Sequence, residues 1–117
     1  MATRSVTVTR LSTNAQLAVW TGLLNGDGGQ PLEALDFADS SIQVGGTFGA
    51  GGTIVWQGSN DGVTYFTLTD AQTTAISKTA NAIEQVAEVV RFVRPLVTAG
   101  DGTTNLVATL YARRGRA

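Results

Sequence analysis

The side chains able to do chemistry in this 117-residue chain are nine carboxylates and eight basic groups, because it contains neither histidine nor cysteine. That absence removes the imidazole base, the thiolate nucleophile, the disulfide and the ordinary zinc site. What is left for acid–base work is Asp27, Glu33, Asp36, Asp39, Asp61, Asp70, Glu84, Glu88 and Asp101, scattered without a local pairing motif. A glycosidase-like carboxylate pair could be assembled from distant positions, but no second signal points to one. The reading is a protein that is not an enzyme, with no catalytic residues, no cofactor and no bound metal.

Residues 53–68, TIVWQGSNDGVTYFTL, hold the motif most like a site. A calcium loop needs several oxygen ligands at alternate positions and a closing Glu, whereas Asp61 stands almost alone. A hairpin needs a residue that tolerates positive φ, which Gly62 supplies, and Asn or Asp side chains that bond to nearby backbone. The segment reads as a turn, as do Asp27 and Asp101, each followed by Gly. The glycine run at 45–52, GGTFGAGG, lacks the Lys and Ser/Thr of a phosphate loop and precedes a strand where a helix would be needed. It reads as a long, flexible hairpin loop.

Charge is distributed unevenly. Arg4 and Arg10 precede every acid, Arg113, Arg114 and Arg116 follow every acid, and all carboxylates but Asp101 fall between positions 27 and 88. Lys78 is the only lysine, and no dense basic patch is interleaved with aromatics, so nucleic acid is disfavoured as a partner. Arginine is the better residue for two-pronged pairing with carboxylates at a protein interface. The candidate interface residues are therefore Arg4, Arg10, Arg113, Arg114 and Arg116. Losing residues 113–117 is expected to weaken docking, and losing the first four residues to matter less.

These side chains must be positioned by strands. The 43% hydrophobic and 15% charged composition fits a globular chain. No apolar run approaches the roughly 20 residues of a membrane helix, so no membrane partner is expected, and residues 1–10 lack the apolar core of a secretory signal. Period-two alternation predicts strands at 5–10, 15–23 and 41–48, around Ile54 and Trp56, around Phe66 and Leu68, and around Leu106, Ala108 and Leu110. Residues 83–98 are ambiguous: Ile83, Val86, Ala87 and Val90 have helical spacing, whereas Pro95 predicts an extended edge strand, leaving at most a helical turn near Ile83. Residues 32–39 read as a short helix or a long connection. Turn clusters between the strands predict an all-β fold, an antiparallel β-sandwich or jelly-roll-like barrel with long Gly-rich loops. Residues 1–117 are taken as one domain, with 1–10 and 113–117 as interaction arms. Trp56 is predicted in the core, covered by a hairpin returning through Phe66 and Leu68.

The run IVWQGSNDGVTYFTL, then a Thr/Ala-rich spacer, then VVRFVRPLVTAGDGTTNLVATLYARR resembles small β-sandwich virion proteins of tailed bacteriophages. The likeness covers residues 53–117. It implies a capsid decoration or cement protein in the virion, assembled in the host cytoplasm, homo-oligomeric and bound to the major capsid protein or another virion protein. The SNDG turn with the later RFVR strand is also similar to discoidin-type sugar- or lipid-binding sandwiches, although this chain is shorter and lacks their terminal cysteines. That resemblance implies the alternative, a carbohydrate- or surface-binding module of a phage tail or fibre. An exposed pocket lined by Trp20, Trp56 or Tyr65 beside Asn or Asp would favour it.

Overall fold

A computed structural model describes residues 2–34 and 39–114. Its strands are β1 (Thr3–Arg4), β2 (Val6–Arg10), β3 (Ala15–Leu23), β4 (Gly28–Gly29), β5 (Leu32–Glu33), β6 (Asp39–Thr47), β7 (Thr53–Ser59), β8 (Phe66–Thr67), β9 (Ser77–Lys78), β10 (Ala82–Gln85), β11 (Phe92–Ala99) and β12 (Asn105–Arg113). They form two sheets that pack as a sandwich. The five-stranded sheet runs β10-β6-β12-β3-β2, and the seven-stranded sheet runs β1-β4-β11-β7-β8 with β5 beside β11 and β9 beside β7. Every strand pairing is antiparallel except the short parallel contact of β1 with β4.

Alternation makes the layers. Leu106, Ala108, Leu110 and Ala112 of β12 are buried while Val107, Thr109 and Tyr111 face outward, as a period of two requires. In β3 the inward residues are Ala18 and Trp20, and then Leu23, because a bulge sets Thr21 and Gly22 against Val107 alone. The facing layer contributes Ile54 and Trp56 from β7 and Val93, Pro95 and Val97 from β11. Trp20 and Trp56 meet between the sheets, edge to face, with ring centroids 5.5 Å apart and planes at 72°. Trp20 donates from Nε1 to the Gln30 carbonyl at 3.0 Å. Trp56 Nε1 is buried, and no described group accepts from it.

The proline strand is not at an edge. β11 lies between β7 and the β4/β5 pieces. Pro95 is the register partner of Trp56, whose N–H and carbonyl bond to Ile76 and Leu68 on its other side. The Pro95 nitrogen therefore turns away from β7, toward the end of β4 where the adjoining strand breaks off, and its missing N–H costs the β7 ladder no bond. Gly29 lies against this proline: a Cβ there would stand 2.5 Å from Pro95 Cδ and 2.6 Å from Trp20 Cδ1, so only glycine fits.

Two further expectations change. Ile83 lies in strand β10, paired across to Gln43, and no helical turn forms there. Phe66 is exposed, because it pairs with Gly58 at the sheet margin, and only Leu68 of that hairpin reaches the core. Residues 3–10 are laid into both sheets as β1 and β2. Residues 32–34 are extended in and after β5, and 35–38 lie outside the described residues.

The two tryptophans give a paired test. Trp56→Ala is expected to cost about 3–5 kcal/mol. Trp20→Phe removes a bonded N–H and leaves the Gln30 carbonyl without its donor, whereas Trp56→Phe removes an unbonded one, so Trp56→Phe should be milder by about 1 kcal/mol. Urea denaturation of the three variants checks both.

Candidate functional site

Each of the eight described carboxylates has a partner within the chain, and Asp36 lies outside the described residues. Asp61 accepts from the Ser59 hydroxyl at 2.8 Å and from the N–H groups of Val63 and Thr64 at 2.8 and 2.9 Å, closing the turn over Gly62 at φ 77°. The N–H groups of Thr64 and Val63, then the Ser59 hydroxyl, hold its carboxyl down at about 2. Asn60 contributes across the sheet, accepting from the Arg91 N–H at 3.1 Å.

Asp101 makes the corresponding clasp at the other end. It accepts from the Thr103 hydroxyl at 2.6 Å, the Ala50 N–H at 2.8 Å and the Thr103 N–H at 2.8 Å, which together hold it at about 2. Thr104 adds a bond from its hydroxyl to the Phe48 carbonyl at 2.7 Å. The glycine-rich loop, expected to be a long, flexible hairpin, is bonded to the 100–104 loop through Asp101 and Thr104. Asp70 closes a third turn by accepting from Gln72 and Thr74 N–H groups. Glu88 takes both the N–H and the hydroxyl of Thr69.

The remaining acids pair with cations: Glu33 with Arg91 at 2.7 Å, Glu84 with Lys78 at 2.7 Å and Asp39 with Arg113 at 3.5 Å. Asp27 is 4% exposed and binds Arg4 Nε at 2.8 Å together with the N–H groups of Ala2 and Leu24. Burial, the largest single influence, pushes its carboxyl up, but the Leu24 N–H, Arg4 and the Ala2 N–H outweigh it and bring the net shift down. Among the described residues no group of three or more potential metal ligands comes together.

The candidate arginines fall in two places. Arg4 sits over Asp27, on the N-terminal side of β2. Register brings Arg10, Arg113 and Arg114 to the opposite end of the five-stranded sheet: Arg10 pairs with Gln16, which pairs with Ala112, and the Arg114 N–H bonds to the Asn14 carbonyl. Arg116 lies outside the described residues. Beside Arg113 an open hollow of about 310 Å³ is lined by Asp39, Ser41, Gln85 and Tyr111. A groove of about 370 Å³ runs under the SNDG turn, lined by Asn60, Asp61, Phe66, Leu68 and Val90. Sequence reasoning did not identify the Arg94 guanidinium, which stacks 3.8 Å over the Tyr65 ring and bonds to Gln57.

The geometry is that of a small two-sheet sandwich. No family model matches the chain, and no curated protein is significantly similar to it. Among solved structures, the SPBc2 prophage-derived protein YomS shares the fold with a TM-score of 0.65 at 12% identity, over 89% of this chain and 98% of that one. A cupin domain from Bordetella pertussis aligns at 10% identity over 94% and 92% of the two chains, but its TM-score of 0.49 carries no inference. Among the described residues no helix is long and apolar enough to cross a membrane.

Two outcomes follow from the carboxylates. Asp61 and Asp101 titrate near 2 in the folded chain against an ordinary 3.8, so between these values the unfolded chain binds more protons. Melting temperature should therefore fall as pH drops through that window, and the Asp101→Asn variant should show a shallower fall. Removing the first four residues, expected above to weaken docking less than loss of 113–117, also strips Asp27 of Arg4 and Ala2. That truncation should cost about 1–2 kcal/mol in urea unfolding, with Asp27→Asn recovering part of it.

Proposed function

We propose that this chain is a non-catalytic structural protein of a bacteriophage particle that decorates or cements the capsid through contacts to the major capsid protein or another virion protein. The observation that carries the reading is the coincidence of fold with a prophage-derived protein along nearly that protein's whole length. It is a likeness of fold alone, and the surface supplies the rest. A cementing subunit needs no reactive group; it must present sheet faces and loops to neighbours and gain attachment from repeated weak contacts. Here the described carboxylates are occupied in turns and ion pairs, while Arg10, Arg113 and Arg114 gather at one end of a sheet. Arg113 and its Asp39 partner are both well exposed, so their 3.5 Å pairing is weak and exchangeable for a carboxylate on a neighbour.

The alternative, a carbohydrate- or surface-binding module, needs exposed rings beside Asn or Asp. Trp20 and Trp56 are enclosed and Tyr65 is roofed by Arg94, which leaves exposed Phe66 near Asn60 as the feature in its favour.

The test compares occupancy of native particles by the full chain and by a chain ending at Ala112, at equal concentration and at low and high salt. The truncated protein should remain folded, since β12 keeps its core residues, yet occupy fewer sites. Its attachment should also depend less on salt, because its charged contacts are gone. Equal occupancy at both salt levels would overturn the docking role of the arginines.

A further inference from the structure

A sandwich has four sheet edges, and a free edge is a row of unpaired donors and acceptors that invites another strand. Three of the four are blunted here. The seven-stranded sheet is bordered by the two-residue strands β1, β5, β8 and β9, too short to template a partner. At the β10 margin of the five-stranded sheet, Glu84 pairs across to Ile42 and so points inward, where it holds Lys78; an inward charge guards that edge.

The fourth edge, β2, carries no such device. Its five residues, VTVTR, contain no proline and no bulge, and their single charge lies at the end. The direction of its free groups follows from the β2–β3 hairpin. The Leu11 N–H bonds to the Ala15 carbonyl, so in the antiparallel ladder the bonded pairs are Leu11 with Ala15, Thr9 with Leu17 and Thr7 with Val19. Val6 and Val8 therefore turn their N–H and carbonyl groups away from β3. Val6 confirms the phase, because its N–H reaches outward to Gln30 Oε1 at 3.1 Å. No described residue bonds to the outward N–H and carbonyl of Val8. Its side chain is 46% exposed, and that of Leu11 at the same margin is 53% exposed.

The geometry points to β2 as the interface between two copies of this chain, joined antiparallel about a two-fold axis at Val8 into one continuous ten-stranded sheet. The occupant is a second copy because the strand is complementary to itself. With Val8 on the axis, the two Val8 residues exchange both backbone bonds, and Thr7 lies opposite the partner's Thr9 on the outer face. The two Arg10 side chains fall four positions apart, about 14 Å at the rise of a strand, so like charges are not brought together. The partner's Val8 also covers the apolar side chain that this edge leaves in water. The pairing concerns only contacts between copies and stands apart from the proposed place in a virion.

Sedimentation velocity of the isolated full chain, from low micromolar to near-millimolar concentration, tests it. The mass should climb toward twice that of the monomer. Val8→Pro removes the outward N–H without touching the bonds to β3, and Val8→Lys sets two ammonium groups on the axis; each should raise the dissociation constant roughly thirty-fold. Because the chain has no cysteine, Val8→Cys should be joined into a covalent dimer by a short thiol-to-thiol cross-linker, since the two side chains of a bonded antiparallel pair stand side by side with Cα atoms about 5.5 Å apart. Ile83→Cys, on the guarded margin, should not. A wild type that stays monomeric throughout, self-association unchanged in both Val8→Pro and Val8→Lys, or failure of Val8→Cys to cross-link would overturn the assignment. Should Val8→Pro lose its native circular dichroism, Val8→Lys, which leaves the backbone intact, decides.

Discussion

The edge-to-face contact of Trp20 and Trp56 is the constraint to which most of this fold answers. Two indoles placed on facing sheets fix both the spacing of the layers and their relative slide, since either ring has one niche among small neighbours such as Ala18 and Ala108. The consequences spread outward from there. Gly29 is glycine because its place is bounded by Trp20 on one side and Pro95 on the other. The chain between β4 and β5 follows the path that brings the Gln30 carbonyl to the Trp20 nitrogen. Pro95 occupies the strand position opposite Trp56, where its missing N–H leaves no ladder bond unmade.

Loops are built on a different principle. Asp61, Asp70 and Asp101 each accept from two or more donors within a few residues, so each turn is closed by a carboxylate with little need of apolar cover. Asp101 reaches further, to Ala50, and joins two loops distant in sequence. With so few charged residues, the chain uses its acids chiefly as fasteners. The cations near its ends gather where the sheet meets solvent.

Much of this was legible in the residues. Alternation located β3, β7 and β12 because each has one buried face, and β2 because its Val and Thr alternate although only Val6 packs against the core; SNDG announced its turn because the bonds that close it are local. What escaped was non-local. Ile83 and its neighbours carry helical spacing, yet partners on β6 convert them to a strand, and no short window contains those partners. Pro95 looked like an edge residue because the break in the adjoining strand, which accommodates it, comes from residues 30–31. The burial of Asp27 depends on an arginine 23 positions earlier, and the Arg94–Tyr65 stack on a hairpin between them. The candidate arginines lie near the chain ends in the sequence, but the register that gathers three of them and assigns the fourth to Asp27 is a property of the sheets.

The position of β12 has a mechanical side. It is the middle strand of its sheet, with β3 along one flank and β6 along the other. Tension applied at the C-terminus runs along the strand, perpendicular to the hydrogen bonds of both ladders, and loads them in parallel. Such a strand cannot be peeled one bond at a time; it must be sheared out from between two neighbours, dragging Leu106, Leu110 and Ala112 through the packed interior. A pull on that strand is therefore met by both ladders and the core at once.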